Sequence, residues 1–301
     1  MKENDLKYLL GPMRVPFLIL APACVLLGVA SAFSSAAAPL NAFYIVLTFI
    51  GGIAAHISVN ALNEYFDFKS GLDLKTQRTP FSGGSGSLPA RPDMARAALL
   101  TGLIALGVAG VMGLFFVLVQ GWGLLPLGLL GLLVIYMYTI WLTRVPLLCL
   151  VAPGLGFGTL MVMGAHFALA GIYTVTAFVA SLVPFFLVSN LLLLNQFPDV
   201  EADQSIGRKH YPIIAGRKAS SFIYTAFNAA AYLTILLGVI FKVLPVWSLL
   251  GLLTLVLAVP ASLGAIRNAN DLQKLGPSMG QNVLINILTP VLVAIGLFLG
   301  R

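Results

Sequence analysis

Nine apolar runs fill most of this 301-residue chain, at roughly 15–36, 42–62, 95–118, 122–142, 146–167, 173–195, 220–241, 246–266 and 281–299. Each approaches the ~20 residues with which an α-helix crosses ~30 Å of hydrocarbon. None alternates apolar and polar residues with period two, which excludes a transmembrane barrel. With 59% hydrophobic residues and a mean hydropathy of +0.98, the chain carries more apolar surface than a soluble core requires. The expected fold is all-α: a multi-pass membrane bundle of nine transmembrane helices, a single domain over residues 1–301, with the lipid bilayer as its surroundings. The net charge of +7 is dispersed between apolar runs and leaves no basic face for a nucleic acid. Cys24 and Cys149 each lie inside an apolar run, as packing residues rather than disulfide partners. No feature of the sequence specifies an oligomeric state.

The opening segment, MKENDLKYLLGPMRVP, is polar and has no cleavage-site pattern after it, so it reads as a cytosolic tail rather than a signal peptide. With that end inside and nine crossings, every Lys and Arg except Lys242 and Arg301 falls on the cytosolic side. This is the asymmetry of the positive-inside rule, and it predicts a protein of the cell's inner (plasma) membrane with its carboxyl end outside. Every Asp and Glu also falls inside, which the rule does not demand. Chemistry confined to one face explains it. Glycines and prolines within the runs, among them Pro153, Gly154, Gly156, Gly158 and Pro184, predict close helix contacts and kinks. His56 and His166 are expected to be hydrogen-bonded packing residues.

The longest connections, 63–94 and 196–219, are both inner. Around them the chain reads NALNEYFDFKSGLDLKTQRTPFSGGSGSLP from Asn60 and NQFPDVEADQSIGRKHYP from Asn195. In each, an Asn precedes an Asp by four residues, Asn63 with Asp67 and Asn195 with Asp199. Such a pair at a helix end shares one face. Asp203 adds a further turn, and Asp73 follows after Gly71 gives the chain freedom to turn. Four intervening runs return the chain to the same side, so the two motifs can face each other across the mouth of the bundle.

Four carboxylates crowded at a low-dielectric boundary repel one another unless cations neutralise them. Asp67, Asp73, Asp199 and Asp203 with the amides of Asn63 and Asn195 form an all-oxygen donor set, and His210 is the only His or Cys in either motif. That chemistry points to Mg²⁺ or Mn²⁺ and away from zinc. Lys69, Lys75, Arg78, Arg208 and Lys209 supply cations for phosphate oxygens, and Ser82–Gly86 offers amide N–H groups to an anion without a Walker lysine. A diphosphate held over an apolar bundle predicts an isoprenoid diphosphate whose tail lies between the helices. Its departure would give an allylic cation that attacks an electron-rich acceptor. A secondary transporter is the competing class, but it would place ionisable groups near the midplane on broken helices.

The same residues resemble the UbiA superfamily of intramembrane prenyltransferases. Asn63-Glu64-Tyr65-Phe66-Asp67 is similar to its first aspartate-rich motif, with Glu64 in place of an early Asp. The third acid stands at Asp73 where Gly71 has the commonest spacing, and Arg78-Thr79-Pro80 resembles its Arg-Pro element with one residue inserted. NEYFDFKSGLD, and Asn195, Asp199 and Asp203 followed by Gly207-Arg208-Lys209, look like the branch that prenylates 1,4-dihydroxy-2-naphthoate. The resemblance covers nearly the whole chain. It implies Mg²⁺-dependent transfer of a polyprenyl group from polyprenyl diphosphate to an aromatic acceptor, with loss of diphosphate and CO₂ to give a demethylmenaquinone. By the same resemblance Asn63, Asp67, Asp73, Asn195, Asp199 and Asp203 bind metal and diphosphate, the four Asp being the catalytic carboxylates. Lys69, Arg78, Arg208 and Lys209 grip diphosphate or an acceptor carboxylate, with Glu64 and Tyr138 as further substrate contacts. Tyr138 presents an aromatic face near the inner end of the fourth run, suited to a cation. Acceptors such as 4-hydroxybenzoate, a chlorophyll precursor, homogentisate, haem or a glycerol-phosphate ether lipid stay open.

Overall fold

Polar residues at the ends of the apolar runs decide where the helices start. Asn41 Oδ1 accepts from the backbone N–H of Phe43 and Tyr44 at 2.9 and 3.4 Å, and Thr174 Oγ1 accepts from Ala177 at 3.1 Å. Each cap satisfies an amide that lipid cannot, worth about 1 kcal/mol. The computed structural model describes residues 3–35, 39–76 and 78–301, with side chains from Lys7 onward. Lys2 and the expected end of the first run at residue 36 lie outside them.

In chain order the helices are α1 (Glu3–Leu10), α2 (Leu20–Ser35), α3 (Ala42–Lys69), α4 (Ser87–Ala90), α5 (Ala95–Gln120), α6 (Leu124–Ile140), α7 (Pro146–Gly154), α8 (Met161–Ala170), α9 (Val175–Asn195), α10 (Val200–Ser205), α11 (Tyr211–Ile214), α12 (Gly216–Ile240), α13 (Leu255–Arg267) and α14 (Leu272–Leu299). A π segment, Leu155–Leu160, joins α7 to α8, and a 3₁₀ helix, Val246–Thr254, leads into α13. Every apolar run corresponds to one of these helical stretches, but not every stretch is long enough to cross a bilayer. Among the described residues seven pass on length and apolarity, and an eighth is the pair Lys7–Phe17 and Leu20–Ser35, bent by 46°. The bend falls between Phe17 and Leu20, just after Arg14 takes a left-handed φ of 51° and Pro16 removes an amide donor. The 17 residues of α6 rise only ~25 Å. By length and apolarity alone, seven or eight of the nine expected crossings qualify among the described residues.

Helix α9 runs through the middle of the bundle. Ala177, Ala180, Val183, Leu187 and Val188 are wholly buried, and the last four share a core with Cys24, Leu27, Ile235, Ala261 and Ile285 from α2, α12, α13 and α14. Around it α3 packs on α5, α2 on α8 and α14, and α12 on α9. Both cysteines are free and buried. His166 Nδ1 lies 2.9 Å from Ser31 Oγ, and Nε2 lies 3.3 Å from Thr174 Oγ1, the packing role expected of it. The α3, α6 and α9 helices end at one face, where Asn63 donates to Thr139 Oγ1 at 3.0 Å. At the other face Gln120 donates to Ala168 O and Thr176 to Val243 O. Connections there are short, so the long ones share the first face.

Pro153 and the glycines that follow widen the backbone into the π segment and press it onto α9. A Cβ on Gly158 would lie 2.4 Å from Phe185 N, whereas one on Gly156 meets nothing within 4 Å. Backbone cannot yield as a flexible side chain would. Gly158→Ala should therefore destabilise the bundle by about 1–3 kcal/mol, while Gly156→Ala leaves the midpoint of thermal unfolding in detergent unchanged. Equal midpoints for the two variants would refute this packing.

Candidate active site

The 28 residues of α3 rise ~42 Å, longer than the hydrocarbon is thick. Its last two turns therefore reach the polar boundary still as helix, so Asn63, Glu64 and Asp67 sit on a rigid rail rather than in the expected loop. The i,i+4 pair forms as the spacing predicts: Asn63 Nδ2 donates to Asp67 Oδ2 at 3.1 Å. Beyond α3, Gly71 at φ 76° turns the chain into a 3₁₀ segment that carries Asp73. On the facing element α9 stops at Asn195, and the chain turns before α10. Gly207, at φ 80°, then folds Arg208 back so that its amide donates to Asp203 O at 3.1 Å.

That turn places the guanidinium between the motifs. Arg208 donates from Nη2 to Asp67 Oδ1 and from Nη1, at 2.8 Å, to Asp203 Oδ1. Asp203 Oδ2 is 2.9 Å from His210 Nε2. Burial disfavours the charge of Arg208, but Asp67 and Asp203 hold its proton more firmly than in water. Burial likewise opposes the charge of Asp203, and the bonds from His210 and Arg208 overcome it, leaving that carboxyl below the usual range. Asp73 and Asp199 have no such partner. Burial, reinforced by Glu64 and Asp67 at one and Asp203 at the other, pushes both up to about 7.

These groups line a polar basin of about 110 Å³. Asn63, Asp67, Asp73, Asn195, Asp199, Asp203, Arg208 and Tyr138 all border it, as do Arg14 and His210. The basin adjoins an apolar chamber of about 480 Å³ within the helices, and Arg14, Asn63, Phe81, Tyr138, Leu192 and Asn195 line both. Asp73 Oδ2, Asn195 Oδ1 and Asp199 Oδ1 are buried without a hydrogen-bond partner. Orphaned oxygens on buried carboxylates suit a hard cation. Among the described residues, no three His, Cys, Asp or Glu side chains stand close enough to hold a metal ion alone. A cation here needs ligand oxygens as well, the usual condition of Mg²⁺ on phosphates.

Other expected residues sit elsewhere. Glu64, wholly buried, accepts from the amide of Ser85 at 2.9 and 3.1 Å, and also bonds to Ser85 Oγ and Arg14 Nη2. The amide of Ser85 in the glycine-rich stretch thus serves the protein's own carboxylate rather than a bound anion. At Gly84, φ 72°, a Cβ would lie 3.2 Å from Asp73 Oδ1, which is how closely the stretch covers the acids. Lys69 is exposed, 5.9 Å from the centroid of the Tyr65 ring. Arg78 is exposed against Gly86, and Lys209 is exposed with its amide on Thr143 O. None of these three borders the basin or the chamber. Arg14 is the cation that sequence reasoning passes over. It donates to Asn63 Oδ1 at 3.2 Å and Glu64 Oε2 at 3.3 Å, and its buried Nε has no partner. An Arg directly before Val15-Pro16, where the chain enters the membrane, was its signal.

A family model described as the UbiA prenyltransferase family matches residues 21–279. The 1,4-dihydroxy-2-naphthoate octaprenyltransferase of Bacillus subtilis (strain 168) is 28% identical over 250 residues, covering 81% of this chain and 77% of that protein. The digeranylgeranylglyceryl phosphate synthase of Methanobrevibacter smithii is 24% identical over 180 residues, covering 60% and 61%. The solved structure of a UbiA homologue from Archaeoglobus fulgidus bound to DMAPP and Mg²⁺ superposes with a TM-score of 0.62 at 15% identity, covering 96% of this chain and 99% of that one.

Carboxyls held above their unfolded pKa cost stability as they ionise. The cost begins above the ordinary carboxylate range and is complete once pH passes the folded value of about 7. Asp73→Asn and Asp199→Asn should therefore melt higher than the parent in metal-free buffer at pH 8, with the gain shrinking toward pH 5. Thermal unfolding of detergent-solubilised protein across that range checks it, and a gain that grows toward acid would reverse the assignment.

Proposed function

The chain belongs to the UbiA prenyltransferase family, and on that premise we propose that it transfers a polyprenyl group from its diphosphate, held in the polar basin, to an acceptor met in the apolar chamber. The observation that carries this reading is the junction itself. Carboxylates with unpartnered oxygens border the same residues that line a large apolar cavity, as a ligand with a polyanionic head and a hydrocarbon tail requires. Asp67, Asp73, Asp199 and Asp203 with Asn63 and Asn195 hold the diphosphate through Mg²⁺, which when bound neutralises charge that the carboxylates alone would repel. Arg208 ties Asp67 to Asp203, and it lies beside the departing oxygens. Tyr138, at the seam of basin and chamber, turns an aromatic face toward the allylic carbon as positive charge develops.

For the acceptor we favour 1,4-dihydroxy-2-naphthoate, on the form of the first motif and on the Bacillus subtilis relative. Arg14 and Arg208 are the arginines bordering the basin, and one of them, Arg14, also faces the chamber. That placement fits a single carboxylate. In the transfer the bond from ring carbon to prenyl carbon forms as the bond to diphosphate breaks. CO₂ then leaves the same ring carbon, its bonding electron pair restoring the aromatic ring. An ether-lipid acceptor is the second reading, favoured by the Methanobrevibacter smithii relative. Purified protein with labelled polyprenyl diphosphate, Mg²⁺ and each acceptor in turn decides between them. The naphthoate should release its carboxylate as CO₂, one per prenyl transferred. Asp67→Asn or Asp199→Asn should lower kcat/KM by about a hundredfold or more. Full activity in either variant, or after complete chelation, refutes the basin as the site. Prenylation of the glycerol ether alone refutes the naphthoate.

The face bearing the basin is proposed to be cytosolic in a plasma membrane, with nine crossings and Arg301 outside, from the distribution of Lys and Arg. Ser205→Cys should then react with an impermeant maleimide only in inside-out vesicles, and Trp122→Cys only in right-side-out ones. The converse pattern would invert the orientation.

A further inference from the structure

The chamber is apolar, yet two of its wall residues carry polar atoms without a hydrogen-bond partner. His56 is 4% exposed and Asn286 1%, both line the chamber, and neither His56 Nδ1 nor Asn286 Oδ1 has a partner. The His56 ring packs edge-on against Phe157 at 4.6 Å between centroids. A neutral imidazole carries one N–H, so with its proton on Nε2 the ring offers Nδ1 as an acceptor. Asn286 donates two bonds from Nδ2, to Asn282 O at 2.9 Å and to Asn282 Oδ1 at 3.3 Å, which leaves its carbonyl oxygen bare. A buried acceptor without a donor is costly, and such groups in a cavity wall mark where a ligand supplies the proton. An ionisable residue within a membrane helix points the same way.

Their depth is suitable. His56, Asn63 and Asp67 are spaced by seven and four residues, so they share one face of α3. His56 lies ~10 Å below Asn63 along the helix, about the length of a two-ring aromatic beneath a bound diphosphate. A prenyl chain offers no donor to either acceptor. The hydroxyl of a glycerol ether stands next to its phosphate, which belongs with the cations of the basin. A ring with free hydroxyls supplies what both atoms lack.

We propose that His56 Nδ1 and Asn286 Oδ1 bind the hydroxyl groups of the prenyl acceptor, so that the chamber selects a ring bearing free hydroxyls. The inference rests on reading the chamber as the place where prenyl chain and acceptor meet, and it assigns the hydroxyl recognition that a carboxylate-binding cation cannot provide.

The test is binding without any prenyl diphosphate, which separates it from the proposed reaction. Affinities for 1,4-dihydroxynaphthalene and its dimethyl ether are measured anaerobically on the whole protein in detergent. The parent should bind the diol at least about tenfold more tightly, since a site built for a hydroxyl rejects the analogue lacking it. His56→Phe and Asn286→Leu should each remove most of that preference by weakening the diol and leaving the ether within about twofold. His56→Gln, which keeps an acceptor and folds independently of the Phe variant's fate, should retain part of it. Equal binding of diol and ether by the parent overturns the proposal, as does undiminished preference in folded His56→Phe and Asn286→Leu. Preserved diol selectivity without prenyl transfer would instead remove the proposed reaction and leave this site standing.

Discussion

One guanidinium holds the two halves of the polar mouth together. Arg208 reaches Asp67 on the end of α3 and Asp203 on α10, residues separated by more than a hundred positions and by four of the apolar runs. A buried ion pair adds little net stability, because removing its charges from water costs about what their attraction returns. What it secures is geometry. Removing only the cation would leave two carboxylates facing each other at an apolar boundary, a costly arrangement. The turn at Gly207, which a residue with a Cβ adopts only under strain, is therefore part of the site although its atoms never border the basin.

The rest of the mouth follows from helix length. Because α3 outlasts the hydrocarbon, its final turns carry three motif residues on a continuous backbone, where the helix itself satisfies the peptide groups. Glu64 points away from the basin on the same turns. It pins the glycine-rich stretch through Ser85 and takes a bond from Arg14, and the stretch then lies over Asp73. Two carboxylates of one motif thus divide the work: Glu64 ties the cover down, and Asp73 beneath it keeps an oxygen without a partner.

The bundle, its single polar face and the pairing of Asn63 with Asp67 were legible in the sequence because hydropathy and helical spacing act locally. The convergence of the two motifs was legible as well, since an even number of crossings returns the chain to one side. Which cation would enter the basin was not. Lys69, Arg78 and Lys209 stand as near the motifs in sequence as Arg208 does, and only turn geometry separates them. Arg14 was hidden for the opposite reason: nearly fifty residues part it from Asn63, and its sequence context says only that a membrane crossing begins. Helix length was less legible than helix position, because hydropathy counts apolar residues and is blind to the bend ahead of α2 and to a helix as short as α6. Polar atoms without partners, at His56 and Asn286, leave no trace in sequence at all, because a missing partner is a property of packing.

Charge in the mouth is neutralised only halfway, and that division assigns the rest. Asp67 and Asp203 share the Arg208 guanidinium, and Asp203 also bonds to His210. Asp73 and Asp199 keep bare oxygens and hold protons near neutral pH, so they are the pair for which a divalent cation replaces a proton rather than another side chain. They come from different motifs, and no three acids close a ligand shell between them. In the proposed reaction, oxygens of the diphosphate would complete it, so that metal and diphosphate would enter the mouth as one unit.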